Sequence, residues 1–258
     1  MPSTDARFTE LVERAVATPI EGWDFSFLDG RQTSTALPWD YERLAAPHVR
    51  SATRLADVDT GGGEVLARLA PPAGSVAVED WPPNVPIAAG RLEPFGITVR
   101  RRVDGRLPLD DAVVDLVLNR HGDLDLPEIA RVLRPGGTLL TQQIAARNEP
   151  EIGEAFGVPA TSFPNAVRDL DDLAARTEAA GLVAELRAQA VVVTRYLDVG
   201  ALVLQLRAVP WQVPGFDAHA SLDVLRRIHD HIDERGSFDV TSARFLLQAR
   251  RPSGPRRG

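Results

Sequence analysis

The stretch Leu55-Ala56-Asp57-Val58-Asp59-Thr60-Gly61-Gly62-Gly63-Glu64-Val65-Leu66 constrains the fold more than any other part of the chain. A short apolar strand runs into an acid, then a glycine-dense turn, then a helical pattern carried by Val65, Leu66 and Leu69. Strand, glycine turn and helix in this order belong to α/β proteins, where bare main-chain N–H groups are brought up to a ligand.

The same alternation continues downstream. The apolar pattern predicts strands at 55–58, 75–79, 97–101, 113–118 and 138–144, with helices at 64–69, 85–94 and 126–133 between them. Apolar strands separated by helices imply a parallel sheet buried on both faces. Further helices are expected at 6–18, 41–52, 168–180, 199–208 and 222–234, and further strands within 182–195 and at 244–249. Residues 1–52 read as an N-terminal helical and aromatic extension packing on the core. Residues 53–250 read as the α/β domain, with an insertion near 196–235, and 251–258 as a disordered tail.

Composition excludes several chemistries. All 29 cations are arginine, which removes Schiff-base catalysis and the lysine of a phosphate-binding loop. Cysteine is absent, so there is no thiolate nucleophile, disulfide or cysteine-held metal, and no metal site is expected. No apolar run is long enough to cross a bilayer and no opening segment reads as a signal peptide, so a cytoplasmic protein without a membrane partner is expected. The net charge of -7 points away from a nucleic-acid partner and toward a small-molecule one.

In open α/β sheets, ligands lie beyond the carboxyl ends of the strands. After the first parallel strand comes the glycine turn, with Asp57 entering it. After the second comes Glu79, a carboxylate able to accept from both hydroxyls of a ribose. Asp80 follows it and faces the other way. After the third comes Asp104-Gly105, an acid and a small residue suited to an adenine amine, with a simple turn acid as the alternative. After the fourth come Asn119, Arg120 and His121. Histidine suits general-base work, with a structural hydrogen bond at the sheet's edge as the alternative for His121. Arg100-Arg101-Arg102, alternating along a strand, reads as a solvated edge, with a hold on an anionic partner as the alternative. His229, Asp230, His231 and Asp233 read as a solvated helix surface, since positions two apart do not share a helix face. Trp23, Phe25, Phe27, Trp39 and Tyr41 read as packing of the extension, with an aromatic lid as the alternative.

The acid and the glycine turn resemble the first motif of class I S-adenosylmethionine (AdoMet)-dependent methyltransferases, over roughly residues 50–145. Leu107-Pro108-Leu109-Asp110-Asp111-Ala112-Val113-Val114-Asp115-Leu116-Val117 resembles the family's approach to its fourth strand. Arg131-Val132-Leu133-Arg134-Pro135-Gly136-Gly137 resembles its turn into the fifth. Gly22-Trp23-Asp24-Phe25-Ser26, Asn119-Arg120-His121 and Thr141-Gln142-Gln143 resemble segments of a bacterial subgroup of methyltransferase-like proteins. The resemblance implies a Rossmann-like, doubly wound, seven-stranded and mostly parallel sheet with helices on both faces. It implies AdoMet as cofactor, bordered by Asp57, Gly61, Gly63 and Asn119, with Glu79 on the ribose and Asp104 on the adenine. It implies methyl transfer to an unidentified small molecule, with His121 as the catalytic candidate.

One position departs from the motif. Asp59 stands where the family carries its first glycine. A carboxylate about 5 Å from the ligand's own would repel it by roughly 3 kcal/mol at an effective dielectric of about 20. Two readings stay open on the sequence: a working methyltransferase that accommodates Asp59, and a methyltransferase-fold binding protein whose AdoMet affinity is weakened or lost.

Overall fold

A computed structural model describes residues 4–20, 25–158 and 167–253. In chain order the elements are α1 (Thr4–Ala17), β1 (Gln32–Ser34), α2 (Tyr41–Ser51), β2 (Leu55–Val58), α3 (Glu64–Leu69), β3 (Val76–Val78), α4 (Asn84–Leu92), β4 (Thr98–Arg100), β5 (Val114–Arg120), α5 (Leu126–Val132), β6 (Leu133–Ile144), α6 (Pro150–Phe156), α7 (Leu170–Ala179), β7 (Val183–Tyr196), α8 (Val199–Ala208), α9 (Leu222–Arg235) and β8 (Phe238–Arg250). Among the described residues, no helix is long and apolar enough to cross a membrane.

The strands are ordered β1-β7-β8-β6-β5-β2-β3-β4. Pairing is parallel between β2 and β3, β2 and β5, β3 and β4, and β5 and β6, while β8 runs antiparallel to β6. Among the described residues the sheet therefore has eight strands, not the expected seven. The addition is β1, which pairs antiparallel with the end of β7 through Gln32↔Tyr196 and Ser34↔Thr194. Its three polar residues give no apolar signal.

The chain divides into two compact units, with β7 and β8 contributing residues to both. The larger comprises Pro38–Ala145, Phe163–Ala190 and Arg244–Gly258. Its core gathers Leu55, Leu66, Leu92, Leu116 and Leu118 with Tyr41, Ala45 and Val49 of α2. β2 is buried at all four positions because it lies between β3 and β5 with its faces covered. Truncating one of these leucines to alanine is expected to cost about 2–5 kcal/mol. Arg251, placed by sequence in the tail, is held here: its N–H donates to Gly137 O at 2.9 Å. Residues 254–258 lie outside the described residues.

The smaller unit comprises Met1–Leu37, Ala146–Ser162 and Val191–Ala243. Its core is built from Phe8 and Val12 of α1, Leu202 and Leu206 of α8, and Leu225, Ile228 and Ile232 of α9. Gly200 lets α8 approach α1, since a Cβ there would fall 2.7 Å from Leu11 O. The expected solvated histidine surface on α9 is corrected in part. His229 is buried, with its ring 5.5 Å from that of Phe8 and its Nε2 3.6 Å from Asp233 Oδ2. It shares the apolar face because it lies four residues after Leu225 and three before Ile232.

Candidate functional site

The larger unit carries most of the residues singled out by sequence, along the carboxyl ends of β2, β3, β4 and β5. β2 delivers Asp57 as its third residue and then turns sharply. Asp59 has φ +57°, Gly61 +64° and Gly63 +80°. Left-handed backbone is easy for glycine and tolerable for aspartate, whose short polar side chain bonds locally. The turn therefore survives the loss of the motif's first glycine.

Asp57 is buried and accepts from Thr60 Oγ1 at 2.6 Å. Burial pushes its carboxyl up to about 7; the Thr60 hydrogen bond opposes this, and the nearby charge of Asp59 adds to it. Glu79, beyond β3, is also buried. Its Oε2 accepts from the N–H of Gly61 and its Oε1 from the N–H of Trp81, each at 2.7 Å. Desolvation raises its pKa while those two main-chain bonds lower it. Asp57, Gly61 and Glu79 are thus brought together as the sequence predicts.

Asp59 is not the unpaired charge that the sequence suggests. Arg102, beyond β4, donates Nη1 to Asp59 Oδ1 at 2.8 Å and Nη2 to Asp59 Oδ2 at 3.3 Å. The same Nη1 donates to Asp80 Oδ2 at 2.5 Å, and the Arg102 N–H donates to Asp80 Oδ1 at 2.8 Å. The guanidinium is largely buried, with the side chain 13% exposed. The reading of Arg100-Arg101-Arg102 as a solvated edge is therefore corrected at Arg102. A Cβ at Gly122 would fall 2.5 Å from Asp59 Oδ2, so glycine there makes the room that Asp59 occupies. No sequence pattern flags Gly122 or the pairing of Arg102 with Asp59; both follow from the order of the strands.

Asn119 is buried and its amide is fully engaged within the protein. Nδ2 donates to Val58 O at 3.1 Å and Asp123 O at 3.4 Å. Oδ1 accepts from Thr141 Oγ1 at 3.1 Å and Gln143 Nε2 at 2.5 Å. It ties β2, β5, β6 and the following loop together.

His121 has φ +62°. Its Nε2 lies 2.7 Å from Gln142 Nε2, while Gln142 Oε1 accepts from Trp39 Nε1 at 2.8 Å. An indole N–H can only donate, so it fixes the orientation of the Gln142 amide and makes His121 Nε2 the acceptor. The imidazole is neutral, with that lone pair already in use. The residue keeps an exposed edge, yet crowding of its ring by protein, then the charges of Arg244 and Arg120, hold its pKa well below the ordinary histidine value.

Asp104 is not gathered with these groups. Val103 and Arg106 exchange both main-chain hydrogen bonds, and Asp104 (φ +50°) and Gly105 (φ +78°) form the two-residue hairpin turn between them. The exposed Asp104 lines a cavity of about 670 Å³ with Arg54 and Asp111, which precede β2 and β5. Trp23, with Gly22 and Asp24, lies outside the described residues.

Comparison with solved structures agrees with this architecture. The YcgJ protein of Bacillus subtilis superposes with a TM-score of 0.58 at 15% identity, covering 83% of this chain and 99% of that one. A protein described as a candidate methyltransferase from Bacillus halodurans superposes with a TM-score of 0.56 at 14% identity, covering 96% of this chain and 99% of that one. The fold is that of the class I methyltransferases. The same fold carries other chemistry too: the [4+2]-cyclase SpnF superposes with a TM-score of 0.52 at 17% identity, covering 98% of each chain.

No family model matches the sequence. A curated protein, the 23S rRNA (guanine(748)-N(1))-methyltransferase of Streptomyces fradiae, is 32% identical over 148 residues, or 54% of this chain and 52% of its own. The chain thus spans about half the length of the curated relative it matches. The expectation of a chain without nucleic-acid partners is overturned by that similarity. Its physical basis was insufficient, because net charge is a bulk quantity and does not fix the charge of one binding face.

Proposed function

We propose that the chain binds AdoMet along the carboxyl ends of β2 and β3 and catalyses transfer of its methyl group. The observation that carries this reading is the pairing of a buried carboxylate, Glu79, with the N–H of Gly61 in the glycine turn. An ionised carboxylate offers about four acceptor positions. Glu79 uses one per oxygen internally, which leaves capacity for ribose hydroxyls. Asp57, its carboxyl pushed up to about 7, is placed to favour a ligand ammonium, and Gly61, at φ +64°, presents the turn's main chain beside Glu79.

The chemistry that bound AdoMet supplies is an already activated methyl group on a sulfonium. The residues described here then need only align donor and acceptor and exclude water. His121 Nε2 is occupied by Gln142, so proton removal by His121 would require that bond to open. For the acceptor, the similarity to an rRNA methyltransferase supports a nucleobase nitrogen, with labelled-methyl transfer to ribosomal RNA as the direct assay. A second reading, a methyltransferase-fold protein with weakened or lost AdoMet binding, draws on Asp59 standing in place of the glycine.

Calorimetric titration with AdoMet and S-adenosylhomocysteine separates the two. The first reading expects saturable binding that Glu79→Ala weakens by about tenfold to a hundredfold, the worth of a charge-assisted hydrogen bond. No binding by the wild-type chain at millimolar ligand would contradict it.

A further inference from the structure

We propose that Asp59, Arg102 and Asp80 form an ion-paired strap across the cofactor rim, which a nucleoside ligand must open to enter. The inference rests on the AdoMet reading for the identity of the ligand, but the strap itself is built from protein groups alone.

The strands stand in the order β5-β2-β3-β4. Arg102 follows β4 and Asp59 follows β2, so their ion pair passes over the end of β3. That is where Glu79 emerges and where a doubly wound sheet takes its ligand. The Asp59 carboxylate also lies against Gly122, in the loop after β5. Neighbouring strands lie about 4.8 Å apart, so the ion pair from β2 to β4 crosses roughly 10 Å of rim.

The two ends of the strap differ. Asp80 is fixed twice to the same residue, by the guanidinium and by the main-chain N–H of Arg102. Asp59 is held to Arg102 by its guanidinium only. Arg102 can therefore release Asp59 and remain paired with Asp80. The Asp59 carboxylate occupies a position on a guanidinium that an incoming carboxylate, such as that of a methionine moiety, would also take. The acid in the glycine turn thus acts as an internal competitor for the ligand, in addition to the space it fills.

The test combines affinity with a readout that needs no ligand. Amide hydrogen exchange across residues 59–63 and at Arg102 is compared for wild type, Asp59→Gly and Asp59→Asn, and each is titrated with S-adenosylhomocysteine. Asp59→Asn keeps the volume and is the control should the glycine variant fold poorly. The strap predicts faster exchange in both variants, and an affinity about tenfold to a hundredfold higher in Asp59→Gly. Exchange and affinity unchanged from wild type would overturn it, as would tighter exchange protection in the variants. Faster exchange with no binding by any of the three would sustain the strap and refute the AdoMet reading.

Discussion

At the carboxyl ends of β2, β3 and β4 the polar groups carry charge: Asp57, Asp59, Glu79, Asp80 and Arg102. At the ends of β5 and β6 the side chains bonded to one another are mostly neutral: Asn119, His121, Thr141, Gln142 and Gln143. The first group has spare capacity and an exchangeable partner, since Glu79 has free lone pairs and Arg102 holds two carboxylates. In the second group the amide of Asn119 and the Nε2 of His121 are already engaged. A site that must accept a ligand keeps groups that can change partners. A region that must hold those groups still uses saturated amides, whose bonds are costly to leave unmade.

If that division is right, the largest stability loss comes from the neutral region. Asn119→Leu keeps the volume and orphans the partners of the amide; a loss of about 3 kcal/mol is expected, read as a lower urea midpoint at unchanged m-value. A loss below about 1 kcal/mol would break the comparison. Gly122→Ala tests the boundary between the regions. Its Cβ would overlap the Asp59 carboxylate, so about 2 kcal/mol of destabilisation is expected in wild type and much less in an Asp59→Gly background. Additive effects would show that Gly122 serves some other contact.

The last expected effect is a dependence on pH. The carboxyl of Asp57 is raised from 3.8 to about 7 by burial. Between those values the folded chain binds a proton that the unfolded chain has lost, so this contribution to stability is complete below about 3.8 and is lost as pH rises through 7. Asp57→Asn should therefore leave stability at pH 4 unchanged and raise it at pH 8. Bound AdoMet, by offering an ammonium, should pull the Asp57 titration down. An Asp57→Asn variant less stable at pH 8 than wild type would place the need for its charge in the fold itself.

The core of this fold is legible in the sequence for a physical reason. β2 and α3 fall on the expected residues, Leu55–Val58 and Glu64–Leu69, because an apolar run ending in a glycine turn has few alternatives. β1 is invisible because Gln32, Thr33 and Ser34 are polar and belong to an edge strand. α6 (Pro150–Phe156) is short and carries no clear apolar period. β8 begins at Phe238, ahead of the expected 244. At the site, Glu79 and the glycines are readable because strand ends supply the ligands in this architecture. Arg102 is not, since its pairing with Asp59 spans 43 positions and depends on strand order. Asp104 allows two readings in the sequence because an acid followed by glycine is also the signature of a tight hairpin turn, the conformation it adopts here.

The most direct test is a crystal structure of the chain with S-adenosylhomocysteine. The ribose hydroxyls are expected within hydrogen-bonding distance of Glu79, with Arg102 released from Asp59 and still paired with Asp80. A ligand bound away from Glu79, or seated there with the Asp59–Arg102 pair intact, would contradict this arrangement.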